Sequence, residues 1–379
     1  MSTAIALQQQ LEDPTSGHVN TLTKEQASLL REFWAVTFIM QEVTPIDTSD
    51  INQITAKDLP NIKANGRLGR KNKGQNVNVI ETFTKYSKMA RKMREDKGAS
   101  NASRTTSNGS SSASDKYNES SEFLSALVLY TPEELHRAAW KIIAADDPDV
   151  ILLRFLRARK WDVEKAMVMY MATLKWMLQA KVRDIVEGGE QGLEKYFTGK
   201  DLEGLKYQFT SGKSFNRGTD KDGRPVCYVN VRYHKKDDQT FEVLQKYTIY
   251  IMETTRLMME APVETGEKEI LQLVPPKHLI TDLGGEDKWE YKYLPPSENE
   301  NYRMKDEVTK KQKLEKRHSL EDEFEKLTKR WLEEPDNEQI KNERNQVKIQ
   351  LRQAQLELDP HIRARTYYDR IGVLREDGT

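Results

Sequence analysis

Four cations crowd the stretch Arg154–Lys160, at Arg154, Arg157, Arg159 and Lys160, and Trp161 and Asp162 follow directly. A guanidinium binds phosphate as a planar fork and an ammonium binds it as a point charge, so the chemistry on offer is anion recognition. A solvated basic turn between two core helices has the same composition, and residue types alone leave both readings open. Other reactive groups are sparse. Cys227 lies inside an apolar run with no base near it in sequence, which reads as a small core residue. His136, His234 and His278 have no partner at metal-ligand spacing, and His234 beside Lys235 and Lys236 reads as a solvent-exposed strand end. Gly284-Gly285 has no flanking GxGxxG and reads as a turn. No P-loop, nucleophile elbow, HExxH or paired-cysteine motif occurs, so neither catalysis nor a metal site is expected.

Two helices must position the basic corner. Asp146, Asp147 and Pro148 form a helix-entry signal ahead of Ile151, Leu152, Phe155 and Leu156. Beyond the corner, a second helical stripe runs through Val163, Ala166, Met167, Tyr170, Leu174 and Met177. Thr131-Pro132-Glu133-Glu134 caps a further helix carrying Leu135, Ala138, Ala139, Trp140 and Ile143. Thr23–Gln26 is a capping box for a helix over Thr21–Met40, whose Leu29, Leu30, Phe33, Trp34 and Phe38 are expected to pack on the main domain. Downstream, Gly188–Gly204 reads as a loop with a short helical piece. Tyr207–Phe215 and Pro225–Tyr233 read as strands around the turn Asp220–Gly223. The near-continuous apolar character of the second strand suits burial on both faces of a parallel sheet. Thr240–Glu260 reads as an amphipathic helix with Phe241, Leu244, Tyr247, Ile251, Thr255 and Met258 on one face.

LLRFLRARKWDVEKA, RPVCYVNV and the closing stretch VPPKHLITDLGGEDKWEY (Val274–Tyr291) together resemble the CRAL-TRIO (Sec14-like) lipid-binding family. GHVNTLTKEQASLLREFWAV (Gly17–Val36) is similar to the leader of its fungal phosphatidylinositol-transfer proteins of the CSR1 type. The resemblance implies an α/β fold: an N-terminal helical subdomain followed by a Sec14-like lipid-binding domain. It implies a phospholipid ligand, phosphatidylinositol foremost, no cofactor, and reversible docking on a membrane surface. It places Arg159 and Lys160 at the inositol headgroup. Against the family pattern the chain is short, because Glu260–Thr265 passes through Gly266 straight into Glu267–Leu271. The deficit is on the order of two to three βαβ units of ~30 residues each. The lipid domain is therefore expected to be incomplete and transfer impaired, with Tyr228, Tyr247 and Ile251 lining what remains of the pocket. An in-frame loss of coding sequence or a faulty gene model accounts for the gap, and a genuine minimal protein is the alternative.

Five segments follow from composition. They are a leader helix over 1–42, a disordered basic and Ser/Asn-rich linker over 43–120, the helical subdomain over 121–185, the truncated lipid-binding domain over 186–295 and a charged helical extension over 296–379. Sixty basic and sixty acidic residues cancel, so no global field draws the chain to nucleic acid. A single cysteine fits a reducing compartment, MSTAIALQQQLEDP lacks the features of a signal peptide, and apolar runs such as Ala126–Leu129 are far below spanning length. A cytoplasmic protein with transient membrane contact is expected. Tyr302–Leu332 and Asn337–Leu358 read as charged helices with a thin stripe through Val308, Leu314, Leu320, Phe324, Leu327 and Trp331. They are expected to pack along the body or to offer a surface to a protein partner, without a sustained heptad. The tail Tyr367–Val373 is expected to dock on the core. A second function class, a lipid-sensing or interaction scaffold that transfers nothing, fits the same features.

Overall fold

The computed structural model describes residues 18–41, 81, 83–88, 119–221, 223–235, 238–259, 274–281 and 285–374. The chain divides into two compact units, one of Met1–Ala180 with Leu320–Gln350, the other of Lys181–Ser319 with Leu351–Thr379. The segment 296–379, read from sequence as one extension, is thus shared between both.

The first unit is helical. Helix α1 (Lys24–Met40) starts at the expected capping box: Gln26 N–H donates to Thr23 Oγ1 at 3.2 Å, and Thr23 N–H donates to Gln26 Oε1 at 2.9 Å. Helices α2 (Glu119–Leu129), α3 (Pro132–Ile143), α4 (Pro148–Ala158) and α5 (Val163–Ala180) follow. Thr131 caps α3 with a second box, and Asp147 caps α4 by accepting from Asp149 N–H at 2.8 Å. The α5 stripe is buried as its spacing predicts, and Leu135, Leu153 and Leu156 are fully enclosed. Each such leucine contributes roughly 1.5–3 kcal/mol of burial. One correction falls on the linker. Residues 83–88 are helical, and Phe83 and Tyr86 are buried against Phe123 with ring centroids 6.0 and 5.5 Å away. Two aromatics in a polar stretch were enough to dock it. The rest of 43–118, apart from Glu81, lies outside the described residues.

Helices α9 (Glu307–Glu333) and α10 (Glu338–Ile362) enter this unit over Leu320–Gln350. Phe324 meets Trp34 and Trp140 at 5.6 and 5.9 Å. Asp149, 4% exposed, accepts from Nη1 and Nη2 of Arg344 at 2.7 and 2.6 Å, from Lys348 Nζ, and from Trp34 Nε1 at 2.8 Å. Burial opposes ionisation of Asp149, yet Arg344 and Lys348 hold its carboxyl well below the usual range. The apolar stripe of the C-terminal helices is therefore largely used inside the chain, although Val308 and Ile349 stay exposed.

The second unit begins with α6 (Val182–Glu194) and α7 (Gly199–Thr210), where a loop and then a strand were expected. Glycines suggested the loop and Tyr207, Phe209 and Thr210 the strand. Burial of Leu205, Gln208 and Phe209 on one helical face overrides those local preferences. Gly189 has φ +58° inside a kink of α6, and a Cβ there would stand 3.0 Å from Ala364 Cβ. Strands β1 (Ser214–Thr219) and β2 (Pro225–Val229) pair antiparallel, Phe215 opposite Tyr228 and Asn216 opposite Cys227. The expected turn joins them, with Arg224 N–H donating to Asp220 Oδ1 at 2.8 Å. The parallel, doubly buried strand is corrected: Val226 and Tyr228 face inward while Val229 is exposed, and Val231–Tyr233 forms an exposed 3₁₀ turn. A hairpin of two strands covers one face only. Helix α8 (Phe241–Leu257), capped by Thr240, buries Val243, Tyr247, Tyr250, Ile251 and Thr254, while Phe241 is 78% exposed. Its inner face is thus rotated from the stripe read in sequence. The unit closes with Leu351–Ile362 of α10 and the short helix α11 (Tyr367–Arg370), which docks as expected. The Thr265/Gly266 junction lies outside the described residues.

Candidate functional site

The basic corner sits where α4 ends. Arg159 is the C-cap, its N–H bonded to Phe155 O at 3.1 Å, and Lys160 and Trp161 both take left-handed backbone with φ of +52° and +62°. Two consecutive non-glycine residues in that region cost on the order of 1 kcal/mol or more each. Three features hold the turn. Trp161 is buried, its N–H reaches Leu156 O at 2.8 Å, and Asp162 Oδ1 accepts from Lys165 N–H at 3.0 Å to start α5. The four cations then separate. Arg154 pairs with Asp146 at 3.3 Å, Arg157 and Arg159 are half-buried, and Lys160 is exposed at the tip. Arg159 Nη1 also donates to the neighbouring Ala158 carbonyl at 3.2 Å. The turn can present two adjacent cations to an anion, which is what headgroup recognition asks of Arg159 and Lys160.

The three residues assigned to the acyl pocket lie in the second unit and are packed in its core. Tyr228 joins Phe215, Val226, Val274 and Ile280, and its hydroxyl donates to His278 O at 3.0 Å. Tyr247 meets Phe209 at 5.5 Å and donates to Ser214 O at 3.2 Å. Ile251 is enclosed by Tyr367 and Tyr368, with Cys227, Met258 and Tyr291 at the margin. Tyr291 bridges these groups, 5.5 Å from Phe215 and 5.1 Å from Tyr367 by ring centroid. Burial pushes the Cys227 thiol up to about 11, which removes it as a nucleophile at neutral pH.

One buried carboxylate ties the C-terminal segment over this core. Glu190 on α6, 1% exposed, accepts from Tyr250 Oη at 3.1 Å, Tyr293 Oη at 2.6 Å, Tyr367 N–H at 2.8 Å and Arg370 Nη2 at 2.7 Å. Arg370 also reaches Glu300 at 3.2 Å. Burial, then the Glu190 charge, drives the Tyr250 hydroxyl well above its ordinary range. Arg363 clamps Asp369 with Nη1 and Nη2 at 2.8 and 2.9 Å. Burial works against that carboxyl's charge, but Arg363 and the Thr366 cap hold it down at about 2. Tyr368 Oη accepts the Asn216 N–H at 2.7 Å, so a side chain fills a hydrogen-bonding position on β1. Sequence reading missed Glu190, because its partners lie 60 to 180 positions away. An acidic residue amid apolar Ile185, Val186 and Leu193 was the available signal.

Comparison with known proteins follows the same division. Residues 119–172 match the CRAL/TRIO, N-terminal domain family, and residues 209–274 match the CRAL/TRIO domain family. A CRAL-TRIO domain-containing protein of Schizosaccharomyces pombe is 29% identical over 317 residues, covering 65% of this chain and 70% of that protein. The phosphatidylinositol transfer protein CSR1 of Eremothecium gossypii is 26% identical over 453 residues, covering 95% of this chain and 98% of that protein. An alignment of 453 positions is met here by about 360 residues (95% of 379), so about 90 positions have no counterpart in this chain. Patellin-3 of Arabidopsis thaliana is 34% identical over 98 residues, covering 26% of this chain and 17% of that protein. No helix among the described residues is long and apolar enough to cross a membrane.

Proposed function

Because the chain belongs to the CRAL-TRIO family, we propose that it binds phospholipid, phosphatidylinositol foremost, at a membrane surface and transfers it poorly. Arg159 and Lys160 take the headgroup phosphate, and no bond is made or broken. The protein acts from the cytoplasm by docking and extraction, without a cofactor.

The observation that carries the poor transfer is the enclosure of Tyr228, Tyr247 and Ile251 by side chains of their own unit. A carrier must wall two acyl chains with apolar groups on all sides, in a cleft of some hundreds of Å³. Here Tyr367, Tyr368 and Tyr291 stand against the residues that would form such a wall. The roughly 90 alignment positions missing relative to the Eremothecium gossypii protein support the same reading. A second reading, a lipid-sensing or protein-interaction scaffold, is favoured by that filled core and by exposed Val308 and Ile349 on the C-terminal helices.

Vesicle-to-vesicle transfer of labelled phosphatidylinositol tests the proposal, with a second version in which those positions are supplied from the Eremothecium gossypii sequence. The restored version should transfer much faster, and extraction of the purified proteins should yield phospholipid. Equal rates would overturn the impairment. Lipid-free protein in both versions would leave the scaffold.

A further inference from the structure

The side chain of Lys213 has no evident reason to be where it is. It is 4% exposed, and among the described residues Nζ has no hydrogen-bond partner. An ammonium withdrawn from water without a partner costs free energy, and a lysine is ordinarily kept at the surface by its long stem. Its root is fixed. Lys213 N–H donates to Ser211 Oγ at 3.3 Å, Asn230 N–H donates to Lys213 O at 2.7 Å, and Asn230 Nδ2 donates to Gly212 O at 2.9 Å. Gln208 brings a second orphan to the same neighbourhood. Its Nε2 donates to Gln239 Oε1 at 2.9 Å, while its own Oε1 is buried and accepts nothing among the described residues. The backbone before Gln239 presses on α7 at Gly204, where a Cβ would stand 2.7 Å from Asp238 O. Asp238 acts on Lys213 through space without a hydrogen bond, and burial still draws the ammonium's pKa down.

The residues that follow Asn230 and Gln239 in the chain are unusual in the opposite sense. Val231 is 73% exposed and Phe241 78% exposed, with Tyr233, Arg232, His234 and Lys235 also in water. Arg232 lies over the Tyr233 ring at 4.9 Å. Of the described acids in 231–242, Asp238 acts on Lys213 and Glu242 faces Lys246 at 3.8 Å. Apolar side chains beside an aromatic and cations match the boundary between lipid headgroups and acyl chains, where each finds its own medium.

We propose that Lys213 anchors a second phosphate site, in which an anionic phospholipid of a bilayer surface places its headgroup phosphate on Nζ while Val231 and Phe241 enter the interface. The phosphate supplies the missing acceptor, and its own P–OH, when singly protonated, supplies the donor that Gln208 Oε1 lacks. This site belongs to the second unit, whereas Arg159 and Lys160 belong to the first. It takes from the phospholipid reading only the class of ligand.

Co-sedimentation of the full chain with vesicles tests it, using phosphatidylcholine alone and phosphatidylcholine containing phosphatidic acid. Lys213→Met keeps the stem and removes the buried charge, so the variant should fold at least as stably as the parent. Its binding to anionic vesicles should fall about tenfold or more, the loss of a charge-assisted hydrogen bond, with binding to neutral vesicles unchanged. Phe241→Ser should weaken binding to both. Unchanged anionic binding by Lys213→Met would overturn the proposal. Thermal stabilisation of the parent by inorganic phosphate, without any preference for anionic vesicles, would assign the site to free phosphate and overturn the lipid assignment. Equilibrium binding is read without transfer, so its failure is distinguishable from a failure of transport.

Discussion

Replacing Glu190 with Gln keeps the shape of the hub and removes its charge. Arg370 then loses a two-oxygen partner at 2.7 and 2.8 Å but retains Glu300 at 3.2 Å. Breaking one side of a buried ion pair costs about 3–5 kcal/mol, and the retained Glu300 contact puts this case near the lower end. The hydroxyls of Tyr250 and Tyr293 and the Tyr367 amide can still donate to the amide oxygen, so their loss is partial. A net cost of about 3 kcal/mol lowers the melting temperature of a unit of this size by roughly 6–12 °C. The lesion is local as well as global, because Tyr367 and Arg370 both hang on this carboxylate. Tyr368 should loosen from Asn216, and the Tyr247–Ile251 face should become accessible to an apolar dye. Thermal unfolding by circular dichroism, with dye fluorescence below the transition, measures both. Glu187→Gln on the same helix, which loses only the 3.4 Å pair with Arg183, is the control and should cost about 0.5 kcal/mol or less. A shift no larger than the control's, with dye binding unchanged, would refute the claim that one carboxylate latches the C-terminal segment.

Three further outcomes are expected. Arg159→Ala with Lys160→Ala should lower phosphatidylinositol binding several-fold while moving the melting temperature little, because Lys160 is exposed and Arg159 half-buried; a large fall in stability with binding intact would make the corner structural. Phe83→Ala should cost about 3 kcal/mol in denaturant unfolding, since the ring is fully buried against Tyr86 and Phe123, and a neutral result would return 83–88 to the linker. Burial lowers the pKa of His136, but its 2.5 Å contact with Glu325 raises it further, so the net shift is upward. A raised pKa contributes stability that is complete below about pH 6.5 and fades as pH rises through the folded value, so the advantage of the parent over His136→Gln should shrink from pH 6 to pH 8.5. An advantage independent of pH would remove the ion pair from the account.

Local signals in the sequence were reliable where one residue answers its near neighbours. Thr23, Thr131, Asp147 and Thr240 cap the helices that their spacing announces, and the Asp220–Gly223 turn joins the two strands. The motif residues Arg159 and Lys160 stand at a helix junction as expected. The failures have a common physical cause. Tyr207 and Phe209 favour strands in isolation, and only the packing of Leu205 and Phe209 in the unit's core makes the segment helical. Phe241 heads an apparently apolar stripe yet ends in water, because Val243 and Tyr250 point the inner face elsewhere. Charge was least legible of all. Asp149 reads as an N-terminal helix residue, Glu190 as one of many acids, and Lys213 as a surface lysine, until partners distant in sequence, or the lack of a hydrogen-bond partner among the described residues, are seen.

The order in which the ribosome releases the chain adds a consequence to the Asp149–Arg344 pair. These residues are 195 positions apart, and both belong to the first unit. At roughly 5–20 residues per second, synthesis leaves Asp149 waiting on the order of ten to forty seconds for its counter-ion. Trp140 waits about as long for Phe324, and Trp34, made earlier, waits roughly half as long again. During that interval the helical head has an acid and two indoles uncovered, although most of its sequence is already made. A nascent chain halted before residue 320 therefore displays an unfinished core, and this stage of its life is the one at which a chaperone has most to hold.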